Sequence, residues 1–143
     1  GVKPLVAICA QADEPQLQAQ CVRAVANLGV SVEHRTQLLQ AKALPVAVAL
    51  LRAGQLHDTS SHGLSVLAHA ARALGNLCSG GEMAAAIQQR AAAEGAIAVL
   101  LTLLLRSHEH LEDLQSAGLG DRLGESIDQV IRETVICAAA TSP

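Results

Sequence analysis

The sequence predicts an all-α protein, a helical solenoid assembled from repeated units. Three observations predict it. A twelve-residue phrase, Leu17-Gln18-Ala19-Gln20-Cys21-Val22-Arg23-Ala24-Val25-Ala26-Asn27-Leu28, returns as Val66-Leu67-Ala68-His69-Ala70-Ala71-Arg72-Ala73-Leu74-Gly75-Asn76-Leu77, an offset of 49 residues. Each copy is followed by a polar stretch and then an apolar one, over 43–51 and 96–104. Every periodic stretch follows helical spacing, and no alternation is long enough for a sheet. Solenoids more often present binding surfaces than catalytic pockets.

The elements follow in order. The chain opens with an apolar stretch to Gln11 that carries Pro4 in its first turn, where a missing N–H costs little. Asp13-Glu14-Pro15 breaks it and starts a new helix. Over 16–29, Leu17, Cys21, Ala24, Val25 and Leu28 fall on one stripe, the mark of an amphipathic helix, with Gly29 as its stop. Ser31 is expected to cap a short helix to about Gln40, with Glu33 in its first turn. Leu44-Pro45 starts the next helix, to about Arg52. A polar, Ser/His-rich loop is expected from Gly54 to His62.

The second copy of the long helix covers 63–78 and ends at Ser79-Gly80-Gly81. Glu82 to Ala93 reads as helix, and Gly95 punctuates before 96–106. Residues 107–125 are the least regular part, with Gly118, Gly120 and Gly124. Ser126 is expected to cap a last helix that buries Ile127, Val130, Ile131, Thr134, Val135 and Ala138.

Half of the 143 residues are apolar, yet the chain has no Phe, Tyr or Trp. Its core must come from Leu, Val, Ile and abundant Ala, and Ala lets helix backbones approach closely. The missing aromatics weaken a case for base stacking and remove the usual interface anchors. Net charge is −3 with no basic cluster, which argues against a nucleic-acid footprint. The charge is uneven. Residues 1–53 hold five basic and three acidic groups, and residues 107–143 hold two basic and seven acidic. Cys9, Cys21, Cys78 and Cys137 sit in apolar helical patterns without a Cys-x-x-Cys pair, so they read as buried free thiols of a reducing compartment. The run from Ala96 to Leu105 is too short to span a bilayer, and no signal-peptide pattern opens the chain. Gly1 is not an initiator Met, and the chain is expected to be a piece of something longer.

These residues resemble the armadillo repeat family. Its unit has a short first helix, an apolar second helix opened by a Gly-Ala-Ile/Leu-Pro-like phrase, and a long third helix ending in a phrase like Ala-Leu-x-Asn-Leu. Ala43-Leu44-Pro45, Gly95-Ala96-Ile97 and Gly1-Val2-Lys3-Pro4 look like second-helix openings. Ala24-Val25-Ala26-Asn27-Leu28 and Ala73-Leu74-Gly75-Asn76-Leu77 look like third-helix endings. Residues 126–140 look like another third helix in which Ala140 stands in the place of the Asn. HEAT-type and other helical arrays are the competing match. The resemblance implies a right-handed α-solenoid, with a partial repeat over 1–29, a repeat over 30–79, and a repeat over 80–143 carrying an inserted loop at about 107–125.

In that family the third helices line a concave groove, and the Asn near each third-helix end often bonds the backbone of an extended peptide. Asn27 and Asn76 occupy that place. An amide suits the task because it offers both a donor and an acceptor; its competing role is to cap or bridge helix ends. Arg23 and Arg72 lie four residues earlier on the same face, and Gln20 and His69 precede them. The nuclear-import members commonly carry Trp where these Arg stand, so a basic localisation peptide does not suit this chain. Two Arg favour carboxylates or phosphates. Their competing role is as solvated groups or partners of a local acid.

The six histidines form no three-ligand constellation, and no Cys lies at convenient spacing. Asp58, Ser60, Ser61 and a nearby His share one loop with no nucleophile elbow around them. Ser79-Gly80-Gly81 lacks the Lys of a phosphate loop. The expectation is a non-catalytic scaffold or adaptor without cofactor or metal. It would hold a protein or peptide segment with acidic residues against Gln20, Arg23, Asn27, His69, Arg72 and Asn76. Nucleic acid and a membrane span are not expected. Flanking repeats or self-association would cover the ends. Cytoplasm is the expected location, with nucleus or cilium as alternatives. An architectural segment of a ciliary or cytoskeletal assembly, or a module that docks a small GTPase, are the alternative functions.

Overall fold

The computed structural model describes residues 2–54, 61–79, 84–102, 105–106, 129 and 132–133. Among them there is no strand. Six helices are complete: α1 (Val2–Gln11), α2 (Pro15–Leu28), α3 (Val32–Gln40), α4 (Ala43–Gly54), α5 (Ser61–Cys78) and α6 (Ala84–Ala93). Residues 96–102 are helical as well, as are Leu105, Arg106, Gln129, Arg132 and Glu133. The expected irregular segment 107–125 and most of the helix expected from Ser126 lie outside the described residues.

Local chemistry sets the boundaries. Glu14 is extended (φ −85°, ψ 121°), as a residue before proline prefers, and Pro15 occupies the first turn of α2. Pro4 and Pro45 likewise fall in first turns, of α1 and α4. Ser31 stands at the N-cap of α3 with extended backbone, but its side chain makes no capping bond. The expected cap is therefore positional only. Of the loop expected over 54–62, Gly54 belongs to α4 and 61–62 belong to α5, and 55–60 lie outside the described residues.

Helix lengths follow an order. α3, α4 and α5 have 9, 12 and 18 residues, a short–middle–long series. α1 and α2, with 10 and 14, repeat its last two steps. α6 followed by 96–102 begins it again. The junctions match too. Lys42 between α3 and α4 has φ 68°, and Gly95 between α6 and 96–102 has φ 84°. Both turns need a left-handed residue, and only one has the glycine that adopts it without strain.

The core is a single cluster running through all six helices. Leu38, Leu44, Val48, Leu51, Leu64, Leu67, Leu74, Leu77 and Leu100 are its largest fully buried side chains. Ala26, Ala70, Ala71 and Ala73 are buried where the two long helices, α2 and α5, pack most extensively. Small side chains there bring the backbones together.

One core expectation fails. Leu17 was expected on the buried stripe of α2, yet it is 48 % exposed, whereas its counterpart Val66 on α5 is 7 % exposed. Val66 lines a cleft with Pro15 and Gln18 of α2 and with Leu50 of α4. Cys9, Cys21 and Cys78 are free and buried; Cys137 lies outside the described residues. Burial, then the neighbouring Cys21 charge and hydrogen bond, push the Cys9 thiol up to about 12. No described helix is long and apolar enough to cross a membrane.

Candidate interaction surface on the two long helices

The α2–α5 pair places the two copies of the repeated phrase side by side. Asn76 on α5 donates from Nδ2 to the Ala26 carbonyl of α2 at 2.8 Å. That carbonyl lies in the last turn of α2, where backbone acceptors lack intrahelical partners. The approach is close at Gly29: a Cβ there would stand 3.1 Å from Asn76 Cβ, tighter than ordinary contact, so Asn76 would have to give by a few tenths of an ångström. Gly29 has φ −64°, so it serves this contact rather than a left-handed turn.

Four residues earlier on α5, Arg72 Nη2 donates to Asn27 Oδ1 on α2 at 2.9 Å. The same nitrogen lies 3.3 Å from His69 Nδ1. Burial, followed by the charges of Arg72 and Arg23, lowers the His69 pKa to about 4. Arg23 and Gln20 are exposed on α2. Glu133 is near enough to feel Arg72. Burial raises its carboxyl, while Arg72 and then Arg132 oppose that rise.

The structure thus brings together five of the six expected site residues: Arg23, Asn27, His69, Arg72 and Asn76. Among the described residues Gln20 makes no hydrogen bond with them. The two copies, equal in sequence, are unequal in place. Asn76 is half-buried, and its amide nitrogen is engaged between helices. Asn27 is exposed, with only its oxygen engaged. Arg72 is likewise held across the pair, by Asn27, whereas Arg23 makes no hydrogen bond among the described residues. Neither Asn bridges its own helix end; both join α2 to α5.

Sequence reading missed the residues that tie the helix ends. Arg35 of α3 donates from Nε to Gly29 O at 2.7 Å and from Nη2 to Val30 O at 3.0 Å, and its Nη1 donates to Ser79 O. One guanidinium therefore closes the C-terminal ends of both long helices. Gln18 and Gln88 donate to Cys9 O and Cys78 O, each at 3.1 Å, at the ends of α1 and α5. Arg52 reaches Glu94 O at 2.8 Å. Gln18 and Gln88 stand at similar, not equal, separations from their acceptors, nine and ten residues, so no exact repeat marked them. Arg35 and Arg52 had no sequence signal, because their acceptors are backbone atoms more than forty residues away in the case of Ser79 and Glu94.

Among the described residues no group of three or more His, Cys, Asp or Glu could hold a metal ion. No family model, curated protein or solved structure matches the chain.

Proposed function

We propose that the chain is a segment of a right-handed solenoid of armadillo-like three-helix units and acts as a non-catalytic scaffold or adaptor. In this reading it holds an acidic partner segment against the α2–α5 face, in a cytoplasmic setting. The short–middle–long helix order and the matched turns at Lys42 and Gly95 support the repeat reading. The observation that carries the binding reading is the row of donors across the two helices. Arg72 joins Asn27 and His69 by hydrogen bonds, and the exposed Arg23 lies near enough for its charge to act on His69. Such a row accepts carboxylates or phosphates and rejects basic segments.

A random-peptide display panned against the full chain tests this. The selected peptides should be rich in acidic residues, and Arg23→Glu should weaken them about tenfold or more through like-charge opposition. Arg23 is the clean site for reversal, because Arg72 also holds Asn27.

A second reading is architectural. Ile97 and Leu101 are 40 % and 53 % exposed, and Leu105 follows four residues on. That apolar stripe suits an array packed end to end in a larger assembly. Partner binding that survives Arg23→Glu and is lost in Leu101→Glu would favour it over the groove.

A further inference from the structure

Around His69 the surface presents donors. Arg72 Nη2 lies 3.3 Å from His69 Nδ1. A guanidinium has no acceptor, so Nδ1 accepts, the ring is neutral, and its proton sits on Nε2. That Nε2–H has no hydrogen-bond partner among the described residues. Neither has the exposed guanidinium of Arg23, whose charge reaches the ring. Among the described residues Arg72 hydrogen-bonds Asn27 and His69 through Nη2 alone, with the Glu133 carboxylate near enough to interact with its charge. Asn27 has its oxygen engaged and its amide N–H groups left to donate.

We propose that His69, neutral and with its proton fixed on Nε2 by Arg72, is the central donor of an oxyanion subsite completed by Arg23 and Arg72. Its ligand is a carboxylate or a phosphate monoester on the partner segment. The subsite rests on the reading of the α2–α5 face as the partner surface. His69 acts here as a specificity-determining residue. A neutral donor between two cations reads an oxyanion without requiring protonation, and it leaves no room for a cationic side chain.

The charged groups facing the ring are Arg72 on its own helix and Arg23 on α2, with Glu133 beside Arg72. Burial, Arg72 and Arg23 hold the ring neutral down to about pH 4 in the free protein. A bound oxyanion offsets the two cations and raises that value.

The test uses the full chain, labelled with ¹⁵N, and inorganic phosphate exchanged for chloride at constant ionic strength. The free protein should show the Nε2–H tautomer of His69. Phosphate should shift the His69 ring and the Arg23 and Arg72 side-chain resonances along a saturating curve. His69→Phe, with helicity intact by circular dichroism, should lose about tenfold or more in phosphate affinity. His69→Gln, which places an amide donor there as the first copy does at Gln20, should recover most of it. Two peptides differing only in phosphoserine or glutamate then identify the oxyanion. Binding of either through His69 supports the subsite, and binding of neither through His69 overturns it. The Nδ1–H tautomer, a non-saturating shift, or wild-type affinity in His69→Phe would each overturn it as well.

The two levels separate cleanly. Acidic peptides lost on Arg23→Glu but indifferent to His69→Phe would remove the subsite and keep the partner surface. Saturable phosphate binding with acidic peptides unaffected by Arg23→Glu would do the reverse.

Discussion

Lys42 carries a left-handed backbone at φ 68°, where a β-carbon crowds the following carbonyl oxygen at a cost of about 1–2 kcal/mol. Its counterpart turn has Gly95. Lys42→Gly should therefore raise stability by about 1 kcal/mol, the relief of strain exceeding the added freedom of the unfolded chain. Urea denaturation at constant slope measures it. His69 gives a second residue-scale prediction. Its folded pKa, about 4, lies below the ordinary histidine value. Between those values the unfolded chain binds more protons, so stability falls as pH drops from about 6.5 to about 4 and levels off below. Melting temperature followed across that range should show the decline, and His69→Gln should flatten it. The repeated phrase pointed to His69, Arg72 and both Asn residues, because each lies on the exposed or boundary arc of its helix. It did not reveal that Asn76 Nδ2 bonds α2, since a 3.6-residue period gives the face but not the neighbour across it.

At the scale of elements, α2 and α5 form the most extensive helix pair and are tied at their C-terminal ends by Arg35. The guanidinium holds acceptors on both helices. Replacing Arg35 by Leu leaves those C-terminal carbonyls without it. The cost should be about 2–3 kcal/mol, given the strength of hydrogen bonds from charged donors. Arg35→Lys should recover only part, because an ammonium lacks the planar fork that spans two chain segments. The midpoint of guanidinium chloride unfolding checks both. Six helices were legible in the sequence because prolines, glycines and the apolar period mark their starts and stops. The Arg35 tie was not legible, because its acceptors belong to backbone brought together only by stacking. Leu17 shows the same limit. Periodicity assigned it to the buried stripe, but burial depends on what packs across the stripe, and Leu17 is exposed where Val66 is buried.

At the scale of the molecule, apolar side chains remain open toward both ends of the described array: Ile8 and Leu17 at one, Ile97, Leu101 and Leu105 at the other. Solenoid units bury such faces against neighbours, and uncapped ends associate. The chain should sediment with a mass that rises with concentration. Leu17→Glu combined with Leu101→Glu should shift it toward the monomer while leaving helicity unchanged. The all-helical architecture and the stacking of the two long helices were readable from the offset of the repeated phrase. The inequality of the two copies was not, because it arises from position in the stack rather than from the residues. We propose that the donor row on α2 and α5 engages acidic groups of a partner segment. A charge-swap cycle by titration calorimetry tests it most directly, using a display-selected acidic peptide and the full chain. Arg23→Glu should weaken the peptide about tenfold or more, and exchanging the facing peptide acid for Arg should restore most of the loss with the variant and not with the wild type. Independent, additive effects of the two changes, with no restoration, would contradict the account.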